Sequence, residues 1–334
     1  MSENILKITD LHTSFFTPVG EVKAVSGVSL SLDRGQVLGI VGESGSGKSV
    51  TMLSMLKLLG PSGKIVGGSV DFEGMELTTM DLAHMEDIRA NKISMIFQDP
   101  MTSLNPVLSI SYQLCEPLIR HKKMSRRAAE KRAVELLHEV GIEPAEERLK
   151  QYPHQFSGGQ RQRIMIAMAL ACSPDLLIAD EPTTALDVTV QAQTLELMKD
   201  LQKKNNTAII IITHDLGVIA GMADRVSVMY SGHIVEKGSR RDIFYHPAHP
   251  YTQGLLRSVP NPDSLVKERL IPIKGQPPDL LNPPKGCPYA LRCEHAMRIC
   301  MDYPPQMQPI GEGHNASCWL RQINGKGDGA HDRK

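Results

Sequence analysis

Residues 42 to 49 read Gly-Glu-Ser-Gly-Ser-Gly-Lys-Ser, a complete G-x-x-x-x-G-K-[ST] loop set between the apolar run Val37 to Val41 and a helical pattern from Val50 to Leu59. Strand, glycine-rich turn and helix in that order leave few architectures open. The strand belongs in a parallel sheet, and its carboxyl end delivers the loop to the positive end of a helix. Glycines let backbone N–H groups curl around phosphate oxygens, so Gly42, Ser44, Gly45, Ser46, Gly47, Lys48 and Ser49 are candidate ligands of a nucleoside triphosphate. Lys48 should reach the outer phosphates, and the Ser49 hydroxyl should hold Mg2+.

The chain has 334 residues, which predicts one large domain and a smaller appendage. Lys plus Arg and Asp plus Glu each number 37, so no net charge draws the chain to nucleic acid. The local cluster Arg120-His121-Lys122-Lys123, with Arg126-Arg127, reads as a solvated helix face. The amino terminus lacks the charged, apolar, small-residue order of a signal peptide, and no run reaches the ~20 apolar residues of a membrane span. The expectation is a cytosolic chain, or one that reaches a membrane only through partners.

Short β-rich segments open the chain, at Ile5 to Asp10 and Val22 to Leu32, and a further strand is predicted over Lys92 to Phe97. From Ser109 to about Leu170 the pattern turns helical, with apolar residues at helical spacing over Arg127 to Val140 and a stop at Gly141. The α/β rhythm then returns: a strand over Asp175 to Asp180, a helix over Val188 to Lys204, and strands at Ala208 to Thr213, Arg225 to Tyr230 and His233 to Glu236. Alternation of this kind predicts a largely parallel sheet covered on both faces, interrupted by a mainly helical subdomain. After about His246 a proline-rich stretch, Ile271 to Pro284, predicts an extended arm, because proline fits poorly inside strands and helices.

Leu176-Leu-Ile-Ala-Asp180-Glu181 is an apolar strand ending in two carboxylates. Beside a phosphate loop, Asp180 would organise Mg2+ and Glu181 would polarise an attacking water. Phe156-Ser157-Gly158-Gly159-Gln160 precedes a helix, so Ser157 and the exposed N–H groups form a second anion site. That string resembles the signature sequence of ATP-binding cassette (ABC) proteins, with Phe at the first position where Leu is commoner. The resemblance covers residues 1 to about 245 and implies an α/β P-loop ATPase domain, with an antiparallel β-subdomain and a helical subdomain at about 99–170. It further implies that Gln98 joins the ATP site and its Mg2+ to a transport partner. Phe15 would stack on adenine, with Phe16 adjacent; Ala185-Leu186-Asp187 would form a dimer-contact loop, and His214 would approach the γ-phosphate. In this family the signature loop of one subunit closes over ATP held by another, so Ser157, Gly159 and Gln160 would serve a partner's nucleotide. Glu181, His214 and Lys48 are then the candidate catalytic residues.

Four of six cysteines fall late in the chain: Cys287, Cys293, Cys300 and Cys318, spaced C-x5-C-x6-C-x17-C. In a cytosolic chain, clustered thiols suggest a metal centre, either zinc or an iron–sulfur cluster, and the spacing does not choose between them. Cys115 and Cys172 stand alone in helical stretches and read as core residues. His249-Pro-Tyr-Thr, Gly275-Gln-Pro-Pro and Gly286-Cys-Pro-Tyr-Ala-Leu-Arg-Cys293 together resemble the carboxyl-terminal region of peptide-importer ATPases, and Gln98-Asp-Pro-Met-Thr-Ser-Leu-Asn-Pro106 belongs to the same group. That resemblance implies a [4Fe–4S] cluster on the four cysteines, within an extension over residues 246–334.

What the resemblance implies as a whole is an ATPase subunit of a dipeptide or oligopeptide importer at the cytoplasmic face of a membrane. It would pair with a homologous ATPase subunit, favouring a heterodimer, and press residues near 99–125 against two integral membrane permease subunits. A peptide-binding protein outside would supply the cargo. Rival readings are import of nickel or another small solute, a soluble ABC ATPase acting on DNA or ribosomes, and a redox-sensing role for the cysteines.

Overall fold

The structure, a computed structural model, describes residues 4–99, 103–183, 187–258 and 272–324. The chain divides into two compact units: Met1–Leu6, Leu32–Val37 and Thr79–Ile212 form the first, and Lys7–Ser31, Leu38–Thr78 and Thr213–Lys334 the second.

In the second unit a four-stranded sheet runs in the order β2 (Gly20–Asp33), β1 (Asn4–Thr17), β4 (Gly63–Phe72), β5 (Met75–Glu76). β3 (Val37–Val41), buried along its whole length, pairs in parallel with β9 (Arg225–Tyr230). β10 (His233–Ser239) returns antiparallel to β9 through Ser231 and Gly232, whose φ values of 49° and 80° suit the tight hairpin turns that match strand twist. β12 (His314–Ala316) and then β11 (Gln308–Gly311) continue the sheet beyond β10, each antiparallel to its neighbour. The carboxyl-terminal residues thus add strands to the edge of this sheet. The proline-rich segment from 272 to 288 has no regular element, as its composition predicts.

α1 (Lys48–Met55) follows β3, α8 (Leu216–Met222) precedes β9, and α9 (Arg240–Tyr245) and α10 (Pro250–Arg257) follow β10. Each of the last two has a side-chain cap: Ser239 accepts from Asp242 N–H, and the His249 ring from Tyr251 N–H. α11 (Arg298–Asp302) and α12 (Trp319–Asn324) flank the terminal strands. The sequence pattern placed the first helix at Val50 to Leu59, but α1 begins at Lys48 and ends at Met55. Gly47, at φ 96°, turns the chain so that Lys48 is already helical, and Lys57 at φ 51° ends the run.

In the first unit β6 (Ile93–Ile96), β7 (Leu176–Asp180) and β8 (Ala208–Thr213) run parallel, with Ile93 opposite Leu176 and Leu176 opposite Ala208. All of β7 and β8 is buried, which explains why they read as unbroken apolar runs rather than alternating ones. Between α2 (Leu82–Ile88) with β6 and β7 lie α3 (Ile110–Lys122), α4 (Arg126–Glu139), α5 (Ala145–Arg148), a 3-10 turn at Pro153–Gln155, and α6 (Gly158–Leu170). Ser109 and Ser125 cap α3 and α4, and Gly141 stops the chain after α4 at φ 69°. α7 (Val188–Asn205) buries Thr194, Met198 and Leu201, one stripe at helical spacing. Cys115 and Cys172 are core residues of this unit.

Candidate functional site

The phosphate-loop candidates lie in the second unit, where β3 hands the chain to α1. A Cβ on Gly42 would come within 2.1 Å of the Met229 carbonyl oxygen, and one on Gly47 within 2.5 Å of the Ala24 carbonyl oxygen. Only glycine lets the loop pass this close to neighbouring backbone. Ser46 N–H donates to the Glu43 carbonyl at 3.2 Å, and Gly232 N–H, in the β9–β10 turn, donates to the Ser46 carbonyl at 3.0 Å. The Lys48 ammonium is gathered into the loop, donating to the carbonyls of Gly42 at 2.8 Å and Glu43 at 2.9 Å and to Ser46 Oγ at 3.4 Å. Ser44 and Gly45 are exposed, and Ser49 is the second residue of α1, directly after the lysine.

Two more candidates belong to this unit. His214, after β8, is exposed. Phe15 and Phe16, successive in β1, point to opposite faces of the strand. Phe15 is half-buried, its Cε1 2.9 Å from where a Gly63 Cβ would stand, whereas Phe16 is 47% exposed, with Lys64 Nζ 5.7 Å from its ring centre. Phe16, adjacent to the candidate named by sequence, is thus the more exposed of the two rings.

In the first unit, parallel β6 and β7 deliver Gln98 and the Asp180–Glu181 pair to the same end of the sheet. Asp180 is buried at the end of β7. Glu181 takes a left-handed φ of 47°, and its N–H donates to the Ile212 carbonyl at 2.8 Å, so the chain bends sharply at the carboxylate. Gln98 Nε2 donates to Glu181 Oε2 at 2.8 Å. Sequence reasoning named both residues but not this bond.

Ser157 caps α6: its hydroxyl accepts from Gln160 N–H at 3.3 Å, and Gln160 Oε1 accepts from Ser157 N–H at 3.1 Å. A Cβ on Gly159 would meet Val190 Cγ1 at 2.8 Å, so this glycine also lets α7 pack closely. Phe156 is buried with the Arg148 guanidinium 5.6 Å from its ring centre, which accounts for an aromatic at the head of the string. Of Ala185-Leu186-Asp187, the first two lie outside the described residues; Asp187 caps α7, accepting from Val190 N–H at 2.9 Å.

Cys287, Cys293, Cys300 and Cys318 line one cavity of about 20 Å³, together with His249 and His295. Cys287 N–H donates to the Cys300 carbonyl at 2.7 Å, and a Cβ on Gly286 would stand 2.2 Å from that same oxygen. Burial pushes the Cys287 thiol up to about 12, and repulsion from the other three thiols adds to it. Burial likewise raises Cys293 and Cys318. All six cysteines are free. Among the described residues, however, no three His, Cys, Asp or Glu side chains are spaced as a metal-holding set, so the side-chain positions do not support the expected [4Fe–4S] cluster.

A further cluster was not foreseen. Tyr230, Tyr251 and Tyr289 pack with ring centres 4.6 to 5.3 Å apart, and Arg292 reaches across them to Glu43 of the phosphate loop. The strings holding Tyr251, Tyr289 and Arg292 stood out in the sequence by resemblance alone. Their partners are far away along the chain, and no local pattern reveals them.

A family model described as ABC transporter matches residues 25–184, and one described as oligopeptide/dipeptide transporter, C-terminal region, matches residues 235–300. The chain is 55% identical to the dipeptide transport ATP-binding protein DppD of Bacillus subtilis over 96% of its length and 95% of that protein's. It is 52% identical to the oligopeptide transport ATP-binding protein OppD of Salmonella typhimurium over 94% and 93%, respectively. Among solved structures, a dimeric, post-hydrolysis ATP-binding cassette bound to ADP and phosphate matches with a TM-score of 0.64 and 29% identity, over 71% of this chain and 99% of that one.

Proposed function

The chain belongs to the ABC transporter ATPases, in their oligopeptide and dipeptide branch, and from that premise we propose a role for each part of it. It is the ATP-hydrolysing subunit that powers import of di- and oligopeptides. One observation carries the residue-level reading: a single chain holds both an intact phosphate loop that gathers the Lys48 ammonium and a Glu181 carboxylate held by Gln98.

ATP phosphates lie on the backbone N–H groups of residues 42–49, with the Lys48 ammonium exchanging its loop carbonyls for phosphate oxygens. Ser49, Gln98 and Asp180 would hold Mg2+, which supplies positive charge against the phosphates. Glu181 takes the proton of the attacking water, with one carboxylate oxygen oriented by the Gln98 amide. His214 contacts the γ-phosphate, and an aromatic of β1, Phe15 or the more exposed Phe16 beside it, stacks on adenine. Ser157, Gly159 and Gln160 at the start of α6 meet the nucleotide of a partner cassette, so the ATPase works as a pair.

The ATPase segment covers residues 1–245, with its helical part at about 99–170, and the extension covers 246–334. Membrane permeases are the transport partners, with the chain peripheral at the cytoplasmic face. Among the described residues no helix is long and apolar enough to cross a membrane itself. The finer assembly is a heterodimer of ATPases on two permeases, fed by an external peptide-binding protein. Cys287, Cys293, Cys300 and Cys318 line one cavity, and four thiols match a [4Fe–4S] cluster or zinc in donor chemistry although no three of them are spaced to hold a metal in this structure; such a group would crosslink an extension poor in apolar core.

The test is Glu181→Gln. ATP binding should stay as in the wild type, while phosphate release falls by roughly 10²- to 10⁴-fold; unchanged release removes Glu181 as the base. Labelled-dipeptide uptake by the reconstituted transporter, against nickel uptake, decides the cargo class.

A further inference from the structure

The G-x-x-x-x-G-K-[ST] pattern leaves position 43 open, and here it is a glutamate, an acid placed inside a loop that must receive a polyphosphate. Left to itself, such a carboxylate would repel the ligand. Every polar group of this residue is engaged, and the extension supplies two of its four partners.

The Arg292 guanidinium grips the Glu43 carboxylate with both arms, NH1 donating to Oε2 at 2.8 Å and NH2 to Oε1 at 3.1 Å. Its remaining donors go to the Tyr230 hydroxyl at 3.1 Å and to the carbonyls of Lys274 at 2.9 Å and Ile273 at 3.4 Å. The Arg292 side chain is only 6% exposed, with the rings of Tyr230 and Tyr289 5.7 and 6.0 Å from its carbon. Glu43 N–H donates to the buried Tyr251 hydroxyl at 2.8 Å, and the Glu43 carbonyl accepts from Lys48 at 2.9 Å. Pro277, Pro278 and Leu280 of the proline-rich segment border the same loop.

We propose that Arg292, acting through Glu43, is a positioning residue for ATP: the extension neutralises the acid in the phosphate loop and sets the direction of the residue that holds Lys48. This inference rests on residues 42–49 being the ATP phosphate loop. Two physical effects follow. Pairing cancels a negative charge that would oppose the phosphates. The planar two-armed grip also fixes orientation, which a lysine's point charge does not.

The experiment measures binding of a non-hydrolysed fluorescent ATP analogue, and KM and kcat, on the full-length chain assembled with its transport partners. A unit charge acting over about 10 Å at an effective dielectric near 20 changes an equilibrium on the order of tenfold. Arg292→Met should therefore weaken binding by about that factor and raise KM more than it lowers kcat, with Arg292→Lys between it and the wild type. Adding Glu43→Gln to Arg292→Met should recover affinity, because the orphaned charge is gone. Wild-type affinity in Arg292→Met, or no recovery in the double variant, overturns the proposal. If Arg292→Met fails to fold, Tyr251→Phe carries the test: a raised KM supports the clamp, and an unchanged KM overturns it. Lys48→Ala separates the two readings. If it binds ATP normally, the phosphate-loop assignment falls; if it loses ATP while Arg292→Met does not, only the clamp falls.

Discussion

Glu236 is fully buried in β10 and accepts three hydrogen bonds: Ala248 N–H and His314 Nε2 at Oε1, and His249 N–H at Oε2, each 2.8 Å. One carboxylate thus joins β10 to the start of α10 and to β12. Replacing it by leucine leaves two backbone donors and an imidazole N–H buried without acceptors. At roughly 1–3 kcal/mol each, the cost is about 3–9 kcal/mol, comparable with the whole stability of an ordinary domain. Glutamine keeps one carbonyl oxygen and sets an NH2 against the remaining donor or donors, so the cost should be about 1–3 kcal/mol or somewhat more. The order wild type, Glu236→Gln, Glu236→Leu should appear in hydrogen exchange at the Ala248 and His249 amides, and in proteolysis of the extension. Equal protection in wild type and Glu236→Leu, or equal loss in the two variants, would refute the reasoning.

Two further expectations follow from the site and its surroundings. Phe16→Ala should weaken ATP binding while Phe15→Ala mainly lowers the unfolding midpoint, because Phe16 is exposed and Phe15 packs at Gly63; fluorescent-nucleotide titration beside thermal melts checks this, and the reverse pattern refutes it. His249 is wholly buried, and burial lowers its imidazole to about 3 from 6.5. Below pH 6.5 the unfolded chain therefore binds a proton that the folded chain refuses until about pH 3, so stability contributed at neutral pH is lost as pH falls through that window. The slope approaches about 1.4 kcal/mol per pH unit. His249→Asn keeps a cap for Tyr251 N–H and should unfold less steeply between pH 6 and 4; identical slopes in denaturant melts would remove this role.

What the sequence made legible was what local geometry enforces. The phosphate loop could be read because its glycines, lysine and flanking strand and helix are contiguous, and Asp180–Glu181 because β7 is buried on both faces. β4 was missed because it alternates exposed with half-buried positions, carries Gly63, Gly67 and Gly68, and buries only Val70 and Phe72. Period-2 apolar signal is nearly absent from it. Phe15 and Phe16 could not be separated, since which face of β1 is covered depends on Gly63, in another strand. The Arg292–Glu43 pair spans 249 positions of sequence, beyond the reach of any local pattern.

The carboxyl-terminal residues therefore bear on the cassette at two acids, and the two contacts share a logic. Glu43 and Glu236 both lie before residue 245, and both are satisfied by groups after it: Arg292 and Tyr251 for the first, Ala248, His249 and His314 for the second. A cassette cut at 245 would lose all three donors to the Glu236 carboxylate and the counter-charge of the loop acid Glu43. β10 would also become an open sheet edge, since β12 supplies its outer hydrogen bonds. The extension is thus continuous with the ATPase in energetic terms even though its sequence texture changes abruptly after His246. An arm with little apolar core holds its place by supplying the donors and the counter-charge that the cassette's acids require.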